Sequence, residues 1–137
     1  MNKTILIAAS LFALSGCGGG FAVRNTEMFQ KDTLPIVHSK DGDILACYDG
    51  VLKTSPGAQG HVTVHWTIPK KDEPGGGTLT NVAVDPASTT APPPVADCVT
   101  KNITGIGTLS PKDENEGQGT GEWEFHAPPP PAPAPQS

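Results

Sequence analysis

The chain has 137 residues, with 9 Lys and Arg against 14 Asp and Glu, so its formal net charge at neutral pH is −5. An acidic chain carries no electrostatic footprint for nucleic acid and is not drawn to an anionic membrane surface. With 16 Gly and 15 Pro, both above average usage, the part able to pack is smaller than the length implies and amounts to one domain.

Lys3 precedes an apolar run, Ile5–Leu14, that ends in Leu14-Ser15-Gly16-Cys17. The run is too short to cross a bilayer core of about 30 Å, which needs roughly 20 apolar residues. It reads as a signal peptide over residues 1–16. A cysteine directly after a small pair resembles the bacterial lipobox, at which the precursor is cut and lipidated. Cys17 is then the lipidated first residue, and the membrane is a partner through that lipid. Gly18, standing where Asp would retain a lipoprotein in the inner membrane, implies an outer-membrane address. Several acyl chains on one cysteine anchor stably, each buried CH₂ contributing about 0.8 kcal/mol. A plainly secreted protein is the alternative. No later stretch is apolar enough to span a membrane.

Residues 17–40 read as the lipidated cysteine and a flexible tether. Gly18-Gly19-Gly20 is flexible. Leu34, Ile36 and Val37 offer at most a short docking segment, and Pro35 argues against a helix there.

The packed domain is expected over residues 41–126. Ile44, Cys47, Tyr48, Val51 and Leu52 recur at helical spacing and predict a helix over 41–53, with Asp41 or Asp43 as its N-cap. Thr54-Ser55-Pro56-Gly57 ends it. Gly60 reads as a turn. Val62, Val64, Trp66 and Ile68 then alternate with His61, Thr63, His65 and Thr67, the pattern of a half-buried strand. Pro69–Gly77 is a longer connection than a tight hairpin needs. Residues 78–85 form a second, antiparallel strand with Thr80, Val82 and Val84 on one face.

After a Ser/Thr/Pro loop, Val95, Cys98, Val99, Asn102 and Ile103 repeat the helical period. Residues 104–121 read as a polar, glycine-rich loop. Residues 122–126 read as a last strand with Trp123 and Phe125 inward and Glu122, Glu124 and His126 outward. The proline-rich tail, 127–137, has no core to join and reads as disordered or polyproline II. The expected fold is α+β, a small antiparallel three-stranded sheet with two helices on one face, in the order α-β-β-α-β.

With Cys17 lipidated, Cys47 and Cys98 remain as an even pair in an oxidising compartment, where disulfides persist. Both lie on the apolar faces of their helices, so side-by-side packing brings the sulfurs together. Two buried free thiols are the alternative. Structural zinc wants four ligands, so two lone cysteines make a poor metal site.

The stretches Ile44-Leu45-Ala46-Cys47-Tyr48, Gly60–Ile68, Val95-Ala96-Asp97-Cys98-Val99 and Trp123-Glu124-Phe125 resemble the TonB C-terminal-like domain. The likeness is closer to its myxobacterial variant at the C-termini of AgmX/PglI-type gliding-motility proteins. It covers about 85 residues. TonB itself has an N-terminal transmembrane helix where this chain has a lipobox. What the resemblance implies is the fold, a periplasmic setting and a partner, an envelope protein or peptide, bound by adding a strand to the sheet edge. Thr63, His65, Asn81 and Glu124 are the edge positions expected to meet it.

Chemistry elsewhere is sparse. His61 and His65 share a strand face but stand four residues apart, about 13 Å at roughly 3.3 Å per residue, too far to share a metal ion. Asp113, Glu114, Glu116, Glu122 and Glu124 make an acidic neighbourhood that reads as solvated, with no calcium-loop spacing. No nucleophile elbow, phosphate loop, zinc-protease helix or cofactor motif is present. The expectation is a non-enzymatic lipoprotein with a protein-binding module for a motility or transport assembly. The alternative is a structural or accessory lipoprotein with no dedicated peptide site.

Overall fold

The computed structural model describes residues 25–70, 72–107 and 115–136. The elements in order are α1 (Thr26–His38), α2 (Asp41–Thr54), β1 (Gly60–Ile68), β2 (Thr80–Val84), α3 (Pro93–Ile103) and β3 (Gly117–Phe125). The three strands form one antiparallel sheet in the order β2-β1-β3, and the fold is α+β.

The alternation read in β1 decides which face is packed. Val62, Val64, Trp66 and Ile68 are buried and stand opposite Trp123, Gly121, Gly119 and Gly117 of β3. These residues form one cluster with Phe29 and Val37 of α1, Ile44 and Tyr48 of α2, and Val95, Val99 and Ile103 of α3. All three helices therefore feed the same face of the sheet. The opposite face presents His61, His65 and Thr67 beside Glu124, Thr120 and Gln118.

Cys47 and Cys98 are joined, with Cα atoms 5.6 Å apart, so the disulfide fastens α2 to α3. Beside it the Asn102 amide donates to the Cys98 carbonyl at 2.7 Å. Tyr48, the residue after Cys47 along α2, ties the helix to the loop after it and to β3: its hydroxyl donates to the Ala58 carbonyl at 2.6 Å, and its ring lies 4.8 Å from that of Phe125. Burial, and then the charge of Asp49, push the Tyr48 phenol pKa up.

Four expectations need correction. The segment expected to be a tether contains a third helix. Asn25 caps α1 by accepting from the Met28 N–H at 2.9 Å, and Phe29, Thr33 and Val37 form a buried stripe one residue wide. Pro35 is exposed and lies in the last turn, where it removes a single ladder bond. The boundary of the packed domain thus moves from residue 41 back to α1.

The cap of α2 also differs. Lys40 stands at the N-cap without a side-chain bond, and Asp41 is engaged elsewhere, accepting from Trp123 Nε1 at 2.9 Å.

The last strand begins at Gly117, five residues earlier than the side-chain pattern indicates. Its glycines alternate as a core face does. A Cβ on Gly117 would run into the Phe29 ring, one on Gly119 into the Trp66 indole, and one on Gly121 into both tryptophans. The strand contributes space to the core instead of side chains.

Gly60 does more than turn the chain. Its φ is +138°, and a Cβ there would strike the backbone of Thr90 and Ala91. That approach lets Thr90 and Ala91 donate to the His61 carbonyl at 2.8 and 3.1 Å. The tail, residues 127–136, has no regular secondary structure and is mostly exposed, and starts with Ala127 N–H donating to Gln59 Oε1 at 3.4 Å.

Candidate functional site

Cys17 lies outside the described residues, as do residues 1–24 altogether. Among the described residues no helix is long and apolar enough to cross a membrane.

The four expected edge positions fall on three different strands. Thr63 and His65 belong to β1, which is central, so neither lies on an edge that an added strand could reach. Sequence gives the faces of a strand but not its place in the sheet, and the pairing of β1 with both neighbours overturns this pair. Thr63 is also only 3% exposed. Its backbone is occupied: Asp85 N–H donates to its carbonyl at 2.9 Å, and its own N–H donates to Thr89 Oγ1 at 3.1 Å.

Asn81 and Glu124 do lie on outer strands, at opposite edges. The register of β2 slips between His65 and Thr67, with one extra residue in β2. Asn81 takes up that bulge with a φ of 49°, and among the described residues it is the one non-glycine with a positive φ. Asparagine tolerates this left-handed conformation better than most side chains. Glu124 sits at the far end of β3, exposed, with Oε1 3.3 Å from His126 Nε2.

The middle of the β3 edge is occupied by a residue for which no sequence signal speaks. The Thr120 N–H donates to Gln30 Oε1 at 2.8 Å, and Gln30 Nε2 donates to the Thr120 carbonyl. One side-chain amide thus satisfies both outward backbone groups of a strand residue, as a neighbouring strand would. Gln30 is delivered by α1, whose Phe29 seats over Gly117 next to it. The β3 edge is therefore capped at Thr120, short of Glu124, by the segment expected to be a tether.

On the open face, histidines pair with carboxylates. His65 Nε2 lies 3.4 Å from Asp85 Oδ2 and its Nδ1 2.8 Å from Thr120 Oγ1, while His61 Nε2 lies 4.0 Å from Glu122 Oε2. The Asp85 carboxyl is held below the usual carboxylate range by the Ala87 N–H, then by the Ser88 hydroxyl and His65. These are exposed pairs, and such pairs contribute little to stability. Among the described residues no three His, Cys, Asp or Glu side chains converge as a metal site would require.

A groove of about 340 Å³ crosses the sheet from α1 to the β2 bulge. Thr26 and Gln30 stand at one end and Asn81 at the other. Gln118 and Thr120 of β3 and His65 and Thr67 of β1 contribute to its lining between them. Trp66 and Gly119 also border it. The Trp66 Nε1 is buried with no hydrogen-bond partner among the described residues. Comparison with protein-family models, with characterised proteins and with solved structures finds nothing that matches this chain.

Proposed function

We propose that this chain is a non-enzymatic outer-membrane lipoprotein, anchored through a lipid on Cys17, and that its α+β domain is a structural or accessory component of the envelope. The observation that carries this reading is the Gln30 cap on Thr120. A domain built to receive a peptide along its sheet edge would leave that edge open, whereas here a side chain of the chain's own helix occupies the middle of the β3 edge. The disulfide between α2 and α3 supports an oxidising compartment, in keeping with the lipobox.

A second reading, a TonB-C-like module that binds an envelope protein by strand addition, keeps one observation in its favour. Past the cap, β3 continues through Glu122 and Glu124 as an outer strand with both side chains exposed. An added strand there would be short and would start beside Gln30.

In-cell photocrosslinking separates the two. A photoreactive residue is placed in turn at Asn81, Glu122 and Glu124, and palmitate labelling of the chain is compared with that of Cys17→Ser. The accessory reading expects lipid labelling that depends on Cys17 and no discrete protein adduct from β3. A single strong adduct from Glu122 and Glu124 supports strand addition instead. Labelling that survives Cys17→Ser overturns the anchor in either case.

A further inference from the structure

We propose that the groove crossing the sheet at the Asn81 bulge binds a neutral, amide-bearing saccharide, of the chemistry of an N-acetylhexosamine oligomer. Three amides border it, those of Gln30, Asn81 and Gln118, with the hydroxyls of Thr26 and Thr120 and the imidazole of His65. Amides and hydroxyls both donate and accept hydrogen bonds, as sugar hydroxyls and an acetamido group do. Among the described residues lining the groove none carries a carboxylate, ammonium or guanidinium, so an ionised ligand would lose its hydration without gaining a counter-charge from them.

Two further features converge on the same place. The extra residue in β2 and the positive φ of Asn81 are local departures from a regular ladder, and bulges and left-handed side-chain-bearing residues gather at binding sites.

The choice of a sugar over a peptide strand rests on Gln30. A peptide adding to this part of the sheet would need the outward N–H and carbonyl of Thr120, and both are taken. A saccharide needs side-chain donors and acceptors, and among the described residues Gln30, His65 and Thr120 spend theirs on internal bonds, so Thr26, Asn81 and Gln118 supply them. The groove volume, about 340 Å³, lies at the lower end of small-molecule sites, about 300–1,000 Å³, and suits one or two sugar rings. The inference makes no use of the lipid on Cys17 and is independent of the anchor.

The test is a ¹H–¹⁵N NMR titration of the full chain in detergent micelles with N,N′-diacetylchitobiose, and separately with a neutral valine–threonine hexapeptide. The expected result is saturable movement of the Asn81 and Gln118 signals with the disaccharide, while the Trp66 and Trp123 indoles, both on the packed face, stay in place. Asn81→Gly, which keeps the left-handed backbone accessible, and Gln118→Ala are each expected to weaken binding about fivefold, the worth of one hydrogen bond, with unchanged melting. No saturable movement with the disaccharide, equal affinity in both folded variants, or response to the peptide alone would each overturn the proposal.

Discussion

Trp123 and Asp41 are 82 residues apart in sequence and meet in a 2.9 Å hydrogen bond from the indole Nε1 to Oδ1. The same carboxylate lies 3.1 Å from His38 Nδ1, and the His38 ring stands 5.6 Å from the indole. One side chain at the start of α2 therefore ties together the end of α1 and the C-terminal part of β3.

Removing that tie leaves the Trp123 N–H without its acceptor, in a side chain that is 8% exposed. Asp41→Ala is expected to lower stability by about 1–3 kcal/mol, the cost of an unsatisfied buried donor. Asp41→Asn keeps an acceptor and should lose less. Urea denaturation of the two variants beside the parent measures the difference, and equal loss in both would show that charge, not the hydrogen bond, matters.

Cys47 and Cys98 are 51 residues apart, and closing a loop of that length constrains the unfolded chain by about 4 kcal/mol in the chain-entropy model. Cys47→Ser should lower the melting temperature by at least about 10 °C without reductant. Under reduction the parent should fall to the level of the variant. Thermal melts with and without dithiothreitol read this directly.

Glycine positions should divide sharply by environment. Gly119→Ala drives a methyl group into the Trp66 indole and is expected to cost about 1–3 kcal/mol, as overpacked cores do. Gly50, inside α2, has open space around it and an ordinary helical backbone. Gly50→Ala should therefore stabilise by about 0.4–1 kcal/mol. Chemical denaturation of both gives changes of opposite sign.

Gln30→Ala uncovers the Thr120 backbone. Its amide proton should exchange with deuterium markedly faster, while the Val64 amide in the central strand should be little affected. The variant should also associate with itself at high concentration, since an unpaired outer strand is a template for pairing. Hydrogen exchange and sedimentation velocity supply the two readings.

Asp85 makes an acid-side contribution. Its folded pKa lies below the ordinary value, chiefly because the Ala87 N–H donates to the ionised form. Stability from this group is then fully present above the unfolded carboxylate range, about pH 4. It is lost as the pH falls through the depressed folded value. The gap between the parent and Asp85→Ala should be constant from neutral pH down to that range and close below it. A gap that widened on acidification would contradict the direction.

The parts of this fold that were legible are those where side chains repeat. Ile44 and Tyr48, Val95 and Val99, and the alternation from Val62 to Ile68 mark their elements because burial selects apolar residues at the period of the backbone. The two cysteines were readable for the same reason. α1 escaped because its stripe includes Thr33 and its last turn holds a proline. The first half of β3 escaped because Gly117, Gly119 and Gly121 have no side chain to count, and their alternation appears only against the rings that fill them. Of the site, Asn81 and Glu124 could be placed on outer strands, but Thr63 and His65 could not be excluded without the strand order. The Gln30 clamp joins residues 90 apart, and no local pattern announces such a contact.

The docking of α1 changes how far the domain could stand from a lipid carried on Cys17. Were residues 18–40 a free tether, the chain could reach about 80 Å from Cys17 at roughly 3.5 Å per residue. With α1 beginning at Thr26, eight residues, Gly18–Asn25, are left to bridge the gap, a reach of about 28 Å when fully drawn out. A lipid on Cys17 would therefore hold the sheet and its groove beside the headgroups, within a layer about as deep as the bilayer core is thick, and any partner would have to come to the membrane to meet it.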